Sequence, residues 1–172
     1  KIQRYDFTRK PLKPSRFWMW IGREFAMKPY YRGRKITIRK IGTEYLKPPY
    51  LLLCTHAGLI DFPVMYKAVA PYNANNVVAI DAVRDIGDWL MRKLGSICKR
   101  KFIKDYNLIR NMKYCAEHYG IVCMYPEARY SLDGVTSFLP DSLAKIAKLL
   151  KVPVVALRMH GNFITAPQWN KE

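Results

Sequence analysis

His56 and Asp61 stand five positions apart in the stretch LLLCTHAGLIDF, residues 51–62. Both residue types serve proton transfer. A neutral imidazole can take the proton of a hydroxyl while its oxygen attacks an acyl carbon. A carboxylate on the other ring nitrogen then fixes the tautomer and steadies the imidazolium. Chemistry of this kind needs no serine or cysteine nucleophile. The same two residues also fit a structural reading, in which His56 caps a helix and Asp61 is a first-turn acid favoured by the helix dipole. Spacing alone does not choose between them.

The elements around the pair give it a setting. The apolar run ahead of His56 predicts a buried strand ending at Cys54 or Thr55, and a helix starting near Gly58 and reaching about Ala70. Asp61 then lies about a turn and a half beyond a strand-to-helix corner, the kind of place that faces a ligand crevice in open α/β sheets. A second strand, IVCMY, runs into PEARYS at residues 126–131, and a third, VPVVAL, reads as buried with Pro153 at its start. His160 follows that third strand, with no acid at useful spacing.

Strands alternating with helices make this an α/β chain, with a central, largely parallel sheet flanked by helices and a basic aromatic helix in front. Parallel strands put the ends after Thr55, Tyr125 and Leu157 on one rim, where His56, Glu127 and Arg129 converge. Residues 1–14 read as an arm with little regular structure, and Ser15 as the cap of a helix to about Lys28, before Pro29. On a helical wheel Phe17, Trp18, Trp20, Ile21, Phe25 and Met27 share a face flanked by Arg16 and Arg23. That face suits either the sheet or a bilayer headgroup region, and Glu24 within its arc favours the sheet.

Alternation of Ile36, Ile38 and Ile41 with basic residues predicts a half-exposed strand, PYNANN a loop, and VVAI a short strand. Residues 82–94 have helical spacing, Phe102 and Ile103 suggest a strand inside a basic stretch, and residues 106–118 a helix whose dipole accounts for His118. LDGVTSF reads as a loop reaching over the site. Pro140 and Asp141 open a helix with Leu143, Ile146, Ala147 and Leu150 facing inward.

The chain has 172 residues, half of them apolar, enough for one sizeable core. Its formal charge of +17 is concentrated in residues 1–50, which hold 14 Lys or Arg against 3 Asp or Glu. That field implies an anionic partner, whether membrane headgroups, nucleic acid or an acidic carrier protein. Four cysteines without CxxC pairing argue against zinc and a disulfide framework and for a reducing compartment. No run approaches 18 apolar residues, and the basic start lacks the apolar core of a signal peptide, so the covered chain is not expected to span a membrane.

Four blocks resemble the glycerolipid acyltransferase family, whose best-known members are 1-acylglycerol-3-phosphate acyltransferases. They are IGTEYLKPPYLLLCTHAGLID with its HxxxxD, LGSICKRKFIKD, MYPEARYS and KVPVVALRMHG, in that order between Ile36 and Gly161. The resemblance implies acyl transfer from acyl-CoA or acyl carrier protein to a hydroxyl of a lysophospholipid such as 1-acylglycerol-3-phosphate. His56 is then the base, Asp61 its orienter, and Lys104, Glu127 and Arg129 the acceptor-site candidates, with no metal or bound cofactor. Related enzymes mostly carry PEGTRS where this chain has PEARYS, so the cation has moved by one residue and the acceptor's identity stays open.

The resemblance divides the chain into a basic arm and amphipathic helix over 1–35 and an acyltransferase domain over 36–172, trimmed at its C-terminal end. It implies a cytoplasmic protein peripherally associated with an anionic membrane surface. The rival readings are a nucleic-acid-binding module and a catalytically inactive membrane-surface protein. Zinc-finger spacing, an RRM aromatic signature and a recognisable helix-turn-helix are all missing from the sequence, so no nucleic acid is expected. The intact HxxxxD speaks against an inactive site.

Overall fold

Short apolar runs become the strands of one parallel sheet. The computed structural model describes residues 5–165 except 102, 104, 132 and 137. Its strands β1 (Tyr50–Cys54), β2 (Ala74–Ala79), β3 (Ser96–Lys99), β4 (Ile121–Met124) and β5 (Val154–Leu157) lie in the order β3-β2-β4-β1-β5. Every neighbouring pair is parallel. Alternate residues of a strand face opposite sides, so the run Tyr50–Cys54 feeds two cores. Tyr50, Leu52 and Cys54 pack with Met65, Tyr66 and Val69 of α3 (Asp61–Val69). Leu51 packs on the other side with Leu108, Met112 and Cys115 of α6 (Tyr106–Tyr119) and Leu150 of α7 (Ser142–Leu150).

Several local expectations give way to tertiary partners. β2 begins at Ala74, drawing Asn75 and Asn76 into a buried strand although their polarity suggested a loop. The Asn75 side-chain nitrogen donates there to the carbonyls of Leu12 at 2.9 Å and Gly95 at 2.8 Å. Residues 36–41 form no strand, and Ile38 and Ile41 are exposed, because no neighbouring strand pairs with them. β3 lies earlier in the basic stretch, ending at Lys99, and Ile103 is in no strand. Ile103 is exposed, and Phe102 lies outside the described residues. β5 is an edge strand with an exposed Val154, not a buried one. The helix expected over 82–94 is broken at Gly87, whose φ of 93° divides α4 (Ile80–Ile86) from α5 (Asp88–Lys93).

The N-terminal helix differs most. It runs as α1 (Arg16–Ile21), a π-helical turn (Gly22–Met27) and α2 (Lys28–Tyr31), so Pro29 lies in the first turn of α2 instead of stopping the helix. Ser15 makes no side-chain cap. Its N–H instead donates to the Lys93 carbonyl at 2.8 Å. Met19 is buried in the core below Tyr50 and Leu52 with Met27 beside it, whereas Phe17, Trp20 and Phe25 point outward.

The described part of the arm, residues 5–14, has no regular structure, yet it is fastened to the body. Arg92 of α5 is buried, and its Nε donates to the Asp88 carboxylate at 3.0 Å. Its guanidinium also donates to the Asp6 carbonyl and lies 4.0 Å from the centre of the Tyr5 ring. Removing the buried Arg92 leaves the part-buried Asp88 carboxylate without its cation and the Asp6 carbonyl without its donor. Arg92→Met should therefore cost about 3 kcal/mol in urea unfolding and expose the arm to limited proteolysis. An unchanged midpoint and an uncut arm would show that the arm is held by other contacts.

Candidate active site

The first corner is built on a buried carboxylate. After β1 the chain turns through residues 58–60, so α3 starts at Asp61, three residues later than its composition suggested. Asp61 is 0 % exposed, and its Oδ2 lies 2.9 Å from His56 Nδ1. The same oxygen accepts the N–H groups of Ala57 at 2.6 Å and Gly58 at 3.0 Å, and Oδ1 accepts the Asn162 amide at 2.7 Å. Burial pushes the Asp61 carboxyl up, but the His56 ring, the Gly58 N–H, the Asn162 amide and the Ala57 N–H outweigh it and hold it below 3.8. Asp61 thus satisfies backbone donors ahead of the helix and orients His56 at the same time.

With Nδ1 committed to Asp61, Nε2 is the ring nitrogen left for a substrate. The imidazole side chain is 14 % exposed. It stacks on Tyr125, with ring centres 4.1 Å apart and 30° between planes, and Tyr130 packs on it at 4.4 Å. Cys54, two residues before His56, is no rival nucleophile. Burial, followed by the Cys123 thiol at 3.5 Å, pushes its own thiol well above the ordinary value.

The second corner grips the His56 backbone. Glu127 is buried and its Oε1 accepts the His56 N–H at 3.2 Å, while the Ser131 N–H donates to the His56 carbonyl at 2.7 Å. The turn between them closes by a bond from the Ala128 N–H to the Tyr125 carbonyl at 3.1 Å, with Ala128 at a φ of 56°. Arg129 is exposed on the outer side, where its charge helps hold the Asp133 carboxyl down, after the Val135 N–H and the Ser131 hydroxyl. Lys104 lies outside the described residues.

Of the sequence candidates, the fold brings His56, Asp61 and Glu127 into direct contact and sets Arg129 on the same rim. Three contributors were not legible. Tyr125 read as the last residue of a strand, Tyr130 stands where PEGTRS has its arginine, and nothing in the sequence singled out Asn162. Asn162, not the exposed His160, is what the corner after β5 delivers to Asp61. On the sheet face that carries α3, a cleft of about 590 Å³ is lined by Leu46, Leu52, Val69, Val155 and Leu157 together with Lys40 and Lys47. Its Leu157 pairs with Cys54, close below His56. Among the described residues no group of three or more His, Cys, Asp or Glu side chains is arranged to hold a metal ion.

Two outcomes follow from the corners. A carboxyl held below 3.8 stabilises the fold fully above that unfolded value and loses its contribution as pH falls through the lower folded value. Asp61→Asn should therefore unfold at lower urea than the parent at pH 7, with the gap closing below about pH 4. A gap that stayed constant with pH would mean that the charge is not what matters. Ala128 occupies a left-handed conformation that costs an L side chain roughly 1–2 kcal/mol, part of which glycine returns as chain entropy. Ala128→Gly should raise stability by about 1 kcal/mol or less, measured in the same titration.

A family model described as Acyltransferase matches residues 36–160. Among solved structures the fold is similar to that of PlsC, a 1-acyl-sn-glycerophosphate (LPA) acyltransferase from Thermotoga maritima, with a TM-score of 0.64 and 16 % sequence identity. The likeness covers 88 % of this chain and 65 % of that one, and at this identity it speaks for the fold. No curated protein matches by sequence. With the family match covering most of its length, this chain belongs to the acyltransferase family.

Proposed function

We propose that the chain transfers a fatty acyl group from an acyl thioester, acyl-CoA or acyl carrier protein, to the hydroxyl of a lysophospholipid. The observation that carries this reading is the 2.9 Å contact between His56 Nδ1 and the buried, ionised Asp61, which leaves Nε2 to act as a base. The family match and the fold shared with a 1-acyl-sn-glycerophosphate acyltransferase support it.

In the proposed step the acceptor hydroxyl gives its proton to His56 Nε2 while its oxygen bonds to the thioester carbonyl carbon. The tetrahedral adduct then collapses, the carbon–sulfur bond breaks, and the leaving thiolate takes the proton back from the imidazolium. Asp61 stays ionised throughout and steadies the charged ring, and the Tyr125 and Tyr130 rings keep the imidazole from turning. The cleft beside Leu157, with Leu46, Leu52, Val69 and Val155 in its lining, is a suitable berth for the acyl chain, and Arg129 with Lys104 and Glu127 are the candidates for the acceptor side. An amphiphilic acceptor and product fit a protein that works peripherally at a cytoplasmic membrane face. No helix among the described residues is long and apolar enough to cross a membrane.

The test is incubation with labelled acyl-CoA or acyl carrier protein and a panel of lysolipids, 1-acylglycerol-3-phosphate included, with identification of the product. His56→Ala should lower the rate by ~10²- to 10⁴-fold with the fold intact by circular dichroism. A folded His56→Ala protein turning over at the parent rate would overturn the mechanism. Arg129→Ala should raise the KM of the acceptor far more than that of the donor. Unchanged acceptor kinetics would assign Arg129 to the structure of its loop.

A further inference from the structure

The donors on Asp61 are not shared evenly between its two oxygens. Oδ2 meets His56 Nδ1 and the N–H groups of Ala57 and Gly58, all within the first corner. Oδ1 accepts instead from the Asn162 amide, which arrives from beyond β5. The torsion that turns a carboxylate about its Cβ–Cγ bond is broad and roughly two-fold. Contacts to one oxygen hold the carboxylate plane weakly, and a donor on the second oxygen fixes it.

We propose that Asn162 is a positioning residue of the base: by holding Oδ1 it fixes the plane of the Asp61 carboxylate and keeps Oδ2 aimed at the His56 ring. Its effect on rate rests on the acyl-transfer reading, while the geometry it fixes is measurable without turnover. An ionised carboxylate only accepts, so the nitrogen of the Asn162 amide faces Oδ1. A neutral donor suits this place. A lysine or arginine would compete with the imidazolium for the negative charge, whereas an amide orients the carboxylate and leaves that charge to His56. Against the upward push of burial, the Asn162 bond is one of those that hold the Asp61 carboxyl low, behind the His56 ring and the Gly58 N–H.

Asn162 is itself held in place. It is buried at the start of the short helix α8 (Asn162–Thr165). Just ahead of it the Met159 N–H donates to the Thr55 hydroxyl at 3.0 Å, and the Asn162 amide lies 3.5 Å from the Met159 sulfur. On its other side Phe163 packs against Gly134 in the loop after β4, so closely that a Cβ on Gly134 would fall 3.1 Å from the ring. The segment carrying Asn162 is thus braced on the first corner through Thr55 and on the loop of the second through Gly134. A rigid mount is what a positioning group needs.

The first test is kinetic. Asn162→Ala should lower kcat by roughly 10- to 100-fold and leave the KM of donor and acceptor near the parent's, because its bond is to Asp61. Asn162→Asp keeps the shape and adds a carboxyl at the 2.7 Å of the present bond, where two carboxyls share a proton because both cannot ionise freely. Around the pair stand His56 and Cys54 of the first corner, Tyr125 and Tyr130 of the second and, one bond further off, Glu127 on the His56 N–H. At acid pH the protonated new carboxyl donates to Oδ1 as the amide does, and kcat should approach the parent's. As pH rises that proton leaves, the two charges repel, and the ratio of variant to parent kcat should fall.

The second test needs no substrate. A proton shared between His56 Nδ1 and Asp61 should give a downfield NMR resonance, identified by its loss in His56→Ala. Asn162→Ala should move that resonance upfield or broaden it away, with the fold intact by circular dichroism. Where the alanine variant does not fold, Asn162→Asp should make the resonance depend on pH in step with its kcat ratio. An unmoved resonance with kcat within about twofold of the parent's, or a ratio for Asn162→Asp that is constant with pH, would overturn this role and leave Asn162 a structural partner of Asp61. The two readings fail separately. If no lysolipid is acylated while the resonance still depends on Asn162, the positioning stands and the acyl-transfer reading falls.

Discussion

A carboxylate taken wholly out of water is tolerable only when its oxygens are fully served, and at Asp61 four donors do this. They come from the His56 ring, two backbone N–H groups of the same corner, and an asparagine about a hundred residues further on. That requirement ties the corner after β1 to the chain after β5. Because β1 lies between β4 and β5, the segments following its two neighbours arrive on either side of His56. One brings Glu127 and Ser131 to the His56 backbone. The other brings Asn162 to Asp61 and the Met159 N–H to the Thr55 hydroxyl. The order of the sheet and the geometry of the base are one constraint seen at two scales.

Much of this was legible because apolar runs in a parallel sheet are buried on both faces and announce themselves locally. The runs at Leu51 and Ile121 became strands as read, and the helix after Asp105 formed with Asp105 accepting the Leu108 N–H. What stayed hidden depended on partners distant in sequence. Asn75 and Asn76 joined a buried strand because Leu12, Gly95 and Tyr66 supplied hydrogen bonds that local polarity does not reveal. The alternation at Ile36–Ile41 looked like a strand, but a strand exists only where another pairs with it. The tyrosines against His56 were invisible for the same reason, since their role is one of contact and not of type.

The charge is distributed unevenly along the chain. Basic residues crowd the first 50 positions, on the arm, the helix and the loop that follows. Around His56 the described contacts are a buried carboxylate, a second carboxylate on the backbone and two tyrosine rings. The positive charge is thus concentrated in one region and the His56–Asp61 pair lies in another. Arg92 of α5, reaching the Asp6 carbonyl, and Arg23 of the N-terminal helix, reaching Asn73, fasten the first region to the second.

The π-helical turn Gly22–Met27 sets how the two regions are phased. Such a turn is wider than an α turn, with bonds from i to i+5. It lets Met19 face the core above it while Tyr31 still reaches Pro63 below, with Phe17, Trp20 and Phe25 all left outside. The consequence concerns insertions and deletions. Most side chains in this segment can be exchanged without disturbing the path of the backbone. Losing one residue within the π turn would let it close as an ordinary α turn and leave Phe17, Trp20 and Met19 on their present faces, because the wider turn spreads its extra residue over nearly the same rotation. The same loss within α1 would turn everything before it by about 100° relative to Tyr31, so the π turn is where the length of this segment can change and α1 is where it cannot.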